Sequence, residues 1–208
     1  MANAFFTADT HFGHTNVITF CARPFASAEE MDEALIENWN AKVKRCDTVF
    51  VLGDMFYRCE NVAEILRRLK GKKHLILGNH DRSWMDQVDL EDYFVGVDRI
   101  LDLSDGERGY TLCHYPMLQW PHQKRTYMIH GHIHNDVTLD FWPLLRVRER
   151  VLNAGVDVNG YAPVAFDELV ANNAAFKAAH EGGVNDPGVI GHRKDAWEVW
   201  RADKFEGD

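Results

Sequence analysis

Five short apolar runs recur along this chain, and a polar residue of a metal-binding type follows each run within three residues. The runs are Ala4–Ala8, Thr48–Leu52, Leu75–Leu77, Tyr110–Cys113 and Tyr127–Ile129. Short runs rich in β-branched and aromatic residues indicate buried strands. In layered α/β folds, ligands bind outside the carboxyl ends of such strands. We therefore expect the polar residues that follow the runs to meet at one edge of a sheet.

The polar residues form five motifs in chain order. They are Asp9-Thr10-His11, Gly53-Asp54, Gly78-Asn79-His80-Asp81, His114 and Gly131-His132-Ile133-His134. One motif alone is weak evidence, because a single Asp or His after a strand is commonly a cap or turn residue. The ordered set of five, each after a strand-like run, is specific. Its carboxylate, imidazole and amide oxygen donors together suit divalent Mn, Fe, Co, Ni and Zn. We interpret Gly53, Gly78 and Gly131 as positions where the chain turns sharply as it leaves a strand.

On these motifs the chain resembles the calcineurin-like metallophosphoesterase family. The family pattern is D-x-H, G-D, G-N-H-D/E, a lone H and G-H-x-H, and it is complete here between about residue 5 and about residue 160. The resemblance implies two divalent metal ions, of which we favour manganese over Fe, Zn, Ni or Co. The first ion would take Asp9, His11, Asp54 and His134, and the second would take Asp54, Asn79, His114 and His132.

The resemblance also implies a mechanism, in which Asp54 bridges the two ions. A bridging carboxylate suits the roughly 3.5–4 Å spacing of two-metal sites, which generate hydroxide near neutral pH. That hydroxide would attack phosphorus in line. His80 would hydrogen-bond the substrate phosphate and protonate the leaving oxygen. Asp81 either orients His80 or is an ordinary turn residue, and both interpretations stay open at this point.

Three further side chains are candidate substrate contacts. His14, Arg23 and Arg82 lie close in sequence to the ligand motifs. A guanidinium can bind a phosphate in bidentate fashion, although an ordinary surface position explains each arginine as well. The remaining histidines match no motif and are interpreted as surface, strand or tail residues: His74, His122, His130, His180 and His192.

Composition limits the class of partner. The chain has 208 residues and a net charge of -9, without the clustered Lys and Arg of a nucleic-acid surface. It also lacks an apolar stretch of membrane-spanning length and a secretory signal. The four cysteines show neither paired nor metal-finger spacing. We expect a cytoplasmic protein with reduced thiols, monomeric or homodimeric, that acts on a small phosphate ester.

The order of predicted elements favours an α/β (α+β) fold. A βαβα first half and a β-rich second half suit a four-layer α/β/β/α sandwich of two mixed sheets flanked by helices. We predict one metallophosphoesterase domain over residues 1–180, then a Gly-rich linker and aromatic tail over residues 181–208, packed on the domain. Strands are predicted at 145–152 and 154–158, and a loop at 12–26. A capping box at Ser27 and Glu30 predicts a helix, and a further helix is predicted from residue 166 or 167 to about 180.

These features predict a dinuclear, metal-dependent hydrolase of small phosphodiesters. A diester carries one negative charge, which suits a site with only scattered arginines nearby. A phosphomonoesterase or a DNA or RNA nuclease on the same site is the alternative. A non-enzymatic scaffold is disfavoured, because all seven ligand positions and His80 are present.

Overall fold

The computed structural model describes residues 3–180, among which there are nine strands and five α-helices. The strands are β1 (Ala4–Thr7), β2 (Thr48–Val51), β3 (Lys72–Ile76), β4 (Phe94–Asp98), β5 (Ile100–Ser104), β6 (Gly109–Cys113), β7 (Thr126–His130), β8 (Val151–Asn153) and β9 (Val164–Ala165). The helices are α1 (Thr15–Phe20), α2 (Ala28–Lys42), α3 (Val62–Arg68), α4 (Trp142–Arg146) and α5 (Phe166–Ala179). The predicted linker and tail, at 181–208, lie outside the described residues.

The strands form two mixed sheets. The first has the order β4-β3-β2-β1-β9, in which only β9 runs antiparallel to its neighbour. The second has the order β5-β6-β7-β8, in which β5 and β6 form an antiparallel hairpin and the other pairs are parallel. Because the pairs β1-β2-β3 and β6-β7 are parallel, the loops that follow these strands leave each sheet on one edge.

Alternation along the strands explains why the sheets are buried on both faces. In β1, Phe5 packs against the helices α2 and α3, whereas Phe6 packs between the two sheets. In β7, Ile129 faces the same inter-sheet core, whereas Met128 packs against Trp142 of α4. Successive strand residues point to opposite faces, so each strand needs apolar residues at both. The layers are therefore helices, sheet, sheet and helix, which confirms the predicted fold class.

Several predicted elements are confirmed at the level of residues. The helix α2 begins after Ser27, whose Oγ accepts a hydrogen bond from the backbone N–H of Glu30 at 3.2 Å. The last predicted helix is α5. No helix among the described residues is long and apolar enough to cross a membrane.

Three local predictions are wrong. Residues 145–152 are not one strand, because α4 continues to Arg146 and β8 begins only at Val151. The alternation of apolar and basic residues there resembled a strand, but Pro143 sits in the first turn of α4, where its fixed φ favours a helix. Residues 154–158 form turns, with the N–H of Val158 bonded to the carbonyl of Gly155 at 3.1 Å. The predicted loop 12–26 contains α1.

Candidate metal centre

The predicted metal ligands meet just beyond the carboxyl ends of β1, β2, β3, β6 and β7. Among the described residues, three groups of side chains each have their ligand atoms within 4.8 Å of one another, and two of these groups consist of predicted ligands. The first group is Asp9, His11 and His134, and the second is Asp54, His114 and His132. These are three members of each predicted ligand set, so residues up to 125 positions apart in the sequence are assembled as expected.

The Asp54 carboxylate lies between the two groups. Its Oδ2 atom is 3.3 Å from Nε2 of His114 and 3.8 Å from Nε2 of His11. The amide oxygen of Asn79 lies 3.1 Å from the same Nε2 of His114, which places Asn79 with the second group. Asp54 is only 2% exposed, so its charge is largely shielded from water. The carboxylate thus lies near a ring nitrogen of each group, and its bridging role stays a prediction.

One buried nitrogen in the first group is suited to a metal ion. Among the described residues, Nε2 of His11 is buried and makes no hydrogen bond. An unsatisfied buried nitrogen is costly, and native proteins seldom leave one without a partner. A cation coordinated by Nε2 would remove this cost. The donor set of carboxylate, imidazole and amide oxygen therefore fits a divalent ion.

The backbone is strained at the ligand positions. Nine non-glycine residues among those described have positive φ, and five of these are predicted ligands. The five are Asp9 (55°), His11 (51°), Asp54 (53°), His132 (72°) and His134 (49°). Such conformations cost on the order of 1–3 kcal/mol each and persist only where surrounding structure enforces them, which is typical of functional sites.

Glycine has two roles at these loops, of which the sequence predicted one. Gly53 turns sharply, with φ of 84°. Gly78 and Gly131 do not have positive φ, so their backbone conformation does not itself require glycine. They permit close approach instead: a Cβ at Gly78 would lie 2.2 Å from Oδ1 of Asp54, and one at Gly131 would lie 2.6 Å from Oδ2 of Asp9. Both glycines thus make room for a predicted metal ligand.

His80 lies at the rim of the centre, as predicted for a substrate contact. Its side chain is 40% exposed, and its Nε2 lies 3.9 Å from Oδ2 of Asp54. Its backbone N–H donates to Oδ1 of Asp54 at 2.8 Å, which fixes the residue next to the bridging carboxylate. Tyr57, which the sequence did not single out, packs against the His80 ring with the centroids 5.1 Å apart.

Asp81 is a structural residue, so the orienting role considered for it is corrected. Its fully buried carboxylate accepts hydrogen bonds from the backbone N–H groups of Asp54, Met55 and Gly78 at 2.7–3.0 Å. The indole N–H of Trp84 supplies a fourth, at 2.9 Å. None of these donors belongs to the ring of His80. Burial raises the pKa of Asp81, against the hydrogen bonds that lower it. Asp81 joins the loop after β2 to the loop after β3.

Arg23 is not a substrate contact in this structure. It is only 4% exposed, and its Nε and Nη2 atoms pair with the carboxylate of Asp157 at 2.8 and 3.1 Å. The guanidinium also donates to the backbone carbonyls of Asp9 and Thr10 at 2.7 and 2.9 Å. It therefore fixes the strained loop after β1 rather than reaching a phosphate, and this predicted role is wrong.

The same carboxylate of Asp157 supports a predicted ligand. Its Oδ2 atom lies 2.8 Å from Nδ1 of His134. Metal-binding histidines commonly pair their second ring nitrogen with a carboxylate, which fixes the tautomer and the ring orientation. Sequence reasoning missed Asp157. The available signal was weak: Asp157 follows a stretch that contains the apolar residues Val151, Leu152, Ala154 and Val156 but is interrupted by Asn153 and Gly155.

The other two predicted contacts differ in position. His14 is buried, and its Nδ1 lies 3.4 Å from Nδ1 of His11, so it supports a predicted ligand rather than facing an open site. Its ring also packs on that of Tyr57, with the centroids 4.0 Å apart. The prediction of a substrate contact at His14 is therefore wrong. Arg82 is exposed and follows Asp81, so its role stays a prediction.

The pKa values of the predicted ligands shift in different directions. Burial raises the pKa of Asp9 to about 6, although the charges of His134 and His114 oppose this. Burial also disfavours the Asp54 anion, but the hydrogen bonds and charges of His114 and His80 together outweigh burial and lower the pKa of Asp54. Burial and the neighbouring His114 lower the pKa of His132 to about 4, which keeps its imidazole neutral and able to bind a cation.

Comparison with known proteins identifies the class. The sequence profile of the calcineurin-like phosphoesterase family matches residues 3–196. The chain therefore belongs to the calcineurin-like phosphoesterase family. The match extends past residue 160, where the sequence motifs placed the end of the resemblance. Membership supports a metal-binding hydrolase that acts on phosphate esters.

The similarity to individual proteins extends over most of this chain. An uncharacterized protein of Methanocaldococcus jannaschii is 32% identical over 173 residues, which cover 82% of this chain and 90% of that protein. The gene 66 protein of Mycobacterium phage D29 is 30% identical, with 73% of this chain and 96% of that protein covered. A crystal structure of a protein of unknown function from Aquifex aeolicus has a TM-score of 0.64 at 26% identity, covering 81% of this chain and 97% of that chain.

Proposed function

We propose that this protein is a dinuclear, metal-dependent hydrolase of small phosphodiesters. The observation that carries the proposal is the position of the Asp54 carboxylate between the two ligand groups. One of its oxygens, Oδ2, is within 3.8 Å of a ring nitrogen from each group, on His11 and His114. A single carboxylate placed in this way is suited to bridge two ions.

The proposed ligand sets follow the predicted ones. The first ion would be held by Asp9, His11, Asp54 and His134, and the second by Asp54, Asn79, His114 and His132. When bound, two divalent ions such as manganese would supply an activated water and neutralise charge on the phosphate oxygens. Asp157, through Nδ1 of His134, would hold that ring with Nε2 turned toward the first ion.

His80 is proposed to act on the leaving group. Its partly exposed ring lies next to Asp54 without belonging to either ligand group, so it is free to face a bound ester. A histidine in this position can hydrogen-bond the phosphate and give a proton to the leaving oxygen as the bond to phosphorus breaks. An alkoxide is a poor leaving group unless it is protonated, so an acid at this place has a purpose.

The preference for a diester is supported by the charges around the centre. Arg23 is paired with Asp157 and buried, so its charge is already compensated. A monoester dianion would need more positive charge than a diester, which carries a single negative charge. The net charge of -9 also disfavours long polyanions. A phosphomonoesterase, or a DNA or RNA nuclease, remains the alternative on the same set of residues.

A comparison of three substrates tests this proposal. The protein, loaded with Mn²⁺, is assayed for kcat/KM on bis-p-nitrophenyl phosphate, p-nitrophenyl phosphate and single-stranded DNA. We expect the diester to be hydrolysed most efficiently, and Asp54→Asn to abolish turnover of all three. Faster monoester turnover would identify a phosphatase, and efficient DNA cleavage a nuclease. A metal-loaded protein that cleaves none of the three would contradict the proposal.

A further inference from the structure

A cavity of about 600 Å³ opens beside the candidate metal centre, on the side of His132 and His134. Its size falls within the roughly 300–1,000 Å³ of small-molecule sites. Much of its wall is apolar and comes from α1, α5 and the segment between β7 and α4: Phe20, Val137, Leu139, Phe141 and Phe176. A group bound there would lie next to two proposed ligands.

The charged residues that line the cavity disfavour the binding of an anionic group there. Among the described residues that line the cavity there is no Lys or Arg, whereas Asp136 and Asp157 are both present. Asp157 is already paired with Arg23, so neither its carboxylate nor that of Asp136 offers a second phosphate a cation, which is unfavourable in a partly apolar space. An uncharged apolar group would gain from leaving water.

The cavity and His80 are separate features beside the ring of His11. The ring of His11 stacks on His134, which lines the cavity, with the centroids 5.0 Å apart. His80 meets the same His11 ring edge-on at 5.5 Å and does not line the cavity. If His80 protonates the leaving oxygen, the leaving group lies beside His80, outside the cavity. The other ester group then faces the cavity.

From this geometry we infer that the cavity binds the ester group that the substrate keeps, and that this group is uncharged and apolar. The inference rests on the proposed phosphodiesterase function. In the reaction, water adds to phosphorus, the bond to the leaving oxygen breaks and that oxygen takes a proton. The product is a phosphomonoester that still carries the apolar group. A phosphomonoester substrate has no second ester group to fill the cavity.

Two diesters with one leaving group test the inference. p-Nitrophenyl phenyl phosphate and p-nitrophenyl methyl phosphate release the same p-nitrophenolate and differ only in the retained group. The readout is the ratio of their kcat/KM values in the full, Mn-loaded chain. Leu139→Trp, which would fill the cavity, should lower the phenyl-to-methyl ratio by roughly tenfold or more. Leu144→Trp is the matched control, because Leu144 is 51% exposed on α4 and does not line the cavity.

The control should keep the ratio of the unmodified protein. An unchanged ratio in a folded, metal-loaded Leu139→Trp protein would overturn the inference while leaving the phosphodiesterase function standing. If that variant does not fold, Leu139→Ala replaces it. Loss of the leucine contact should then lower the ratio severalfold, and an unchanged ratio would overturn the inference equally. Failure of the unmodified, metal-loaded protein to cleave either diester would instead overturn the proposed function.

Discussion

Asp157 pairs with His134 on one side and with Arg23 on the other. Its Oδ2 lies 2.8 Å from Nδ1 of His134, and its Oδ1 accepts from Nε of Arg23 at 2.8 Å. The guanidinium in turn bonds the carbonyls of Asp9 and Thr10. Three loops that carry or support the first ligand group are thus joined through one buried ion pair.

This relationship predicts that Asp157→Asn weakens metal binding. The neutral amide would hold the His134 ring less firmly and would leave Arg23 without its counter-charge. We expect Mn²⁺ affinity to fall by roughly 10–100-fold, the usual effect of losing such a supporting carboxylate. Titration with Mn²⁺ measures it. Asp136→Asn, an exposed position in a nearby loop, is the control, and equal affinities for the two variants would contradict the prediction.

A second prediction separates stability from substrate binding at Arg23. Arg23→Ala leaves the buried Asp157 carboxylate with only the His134 ring as a charged partner, which should cost roughly 3–5 kcal/mol in the free energy of unfolding. Chemical denaturation measures this cost. The exposed Arg82→Ala should change stability by no more than about 0.5 kcal/mol. A stable Arg23→Ala protein with a raised KM would restore the substrate-binding role.

The third prediction concerns Asp81. Asp81→Asn would set an amide NH₂ among four N–H donors, so at least one donor would lose its acceptor. We expect a loss of roughly 2–3 kcal/mol in unfolding free energy. Asp86 is exposed and lies five residues further along the chain, so Asp86→Asn should leave the free energy of unfolding nearly unchanged. Native stability combined with slow turnover would instead support a role in orienting His80.

Removal of the His80 imidazole should separate chemistry from metal binding. His80→Ala is expected to keep its full metal content, because the ring belongs to neither ligand group. Its kcat should fall by roughly 10²–10⁴-fold, the range for a positioned acid or base. Elemental analysis and steady-state kinetics on the same preparation are the measurement. A parallel loss of metal and rate would show that the role is wrongly assigned.

The strands and the ligand groups could be predicted because their signals are local. An apolar run followed by Asp or His reports a strand end directly, and parallel strands bring those ends together. The helix α4 was missed because Arg146, Val147 and Arg148 alternate as a strand does, while the structure leaves Val147 67% exposed. Short elements of this kind are decided by packing rather than by pattern.

The supporting residues could not be predicted because their partners are distant in sequence. Arg23 meets Asp157 across 134 positions, and nothing near Arg23 indicates burial. A lone arginine beside a ligand motif is therefore easily assigned to a phosphate. Asp81 posed the opposite difficulty, since its place in a family motif favoured catalysis while its actual contacts are backbone N–H groups.

The number of metal ions bound per chain tests the central claim most directly. After Mn²⁺ loading and removal of excess metal, elemental analysis should give about two ions per chain. Asp54→Asn should lower the affinity of both ions, because each would lose the charge of a shared ligand. A stoichiometry that stays at one or below in the unmodified protein at saturating Mn²⁺ would contradict the dinuclear assignment.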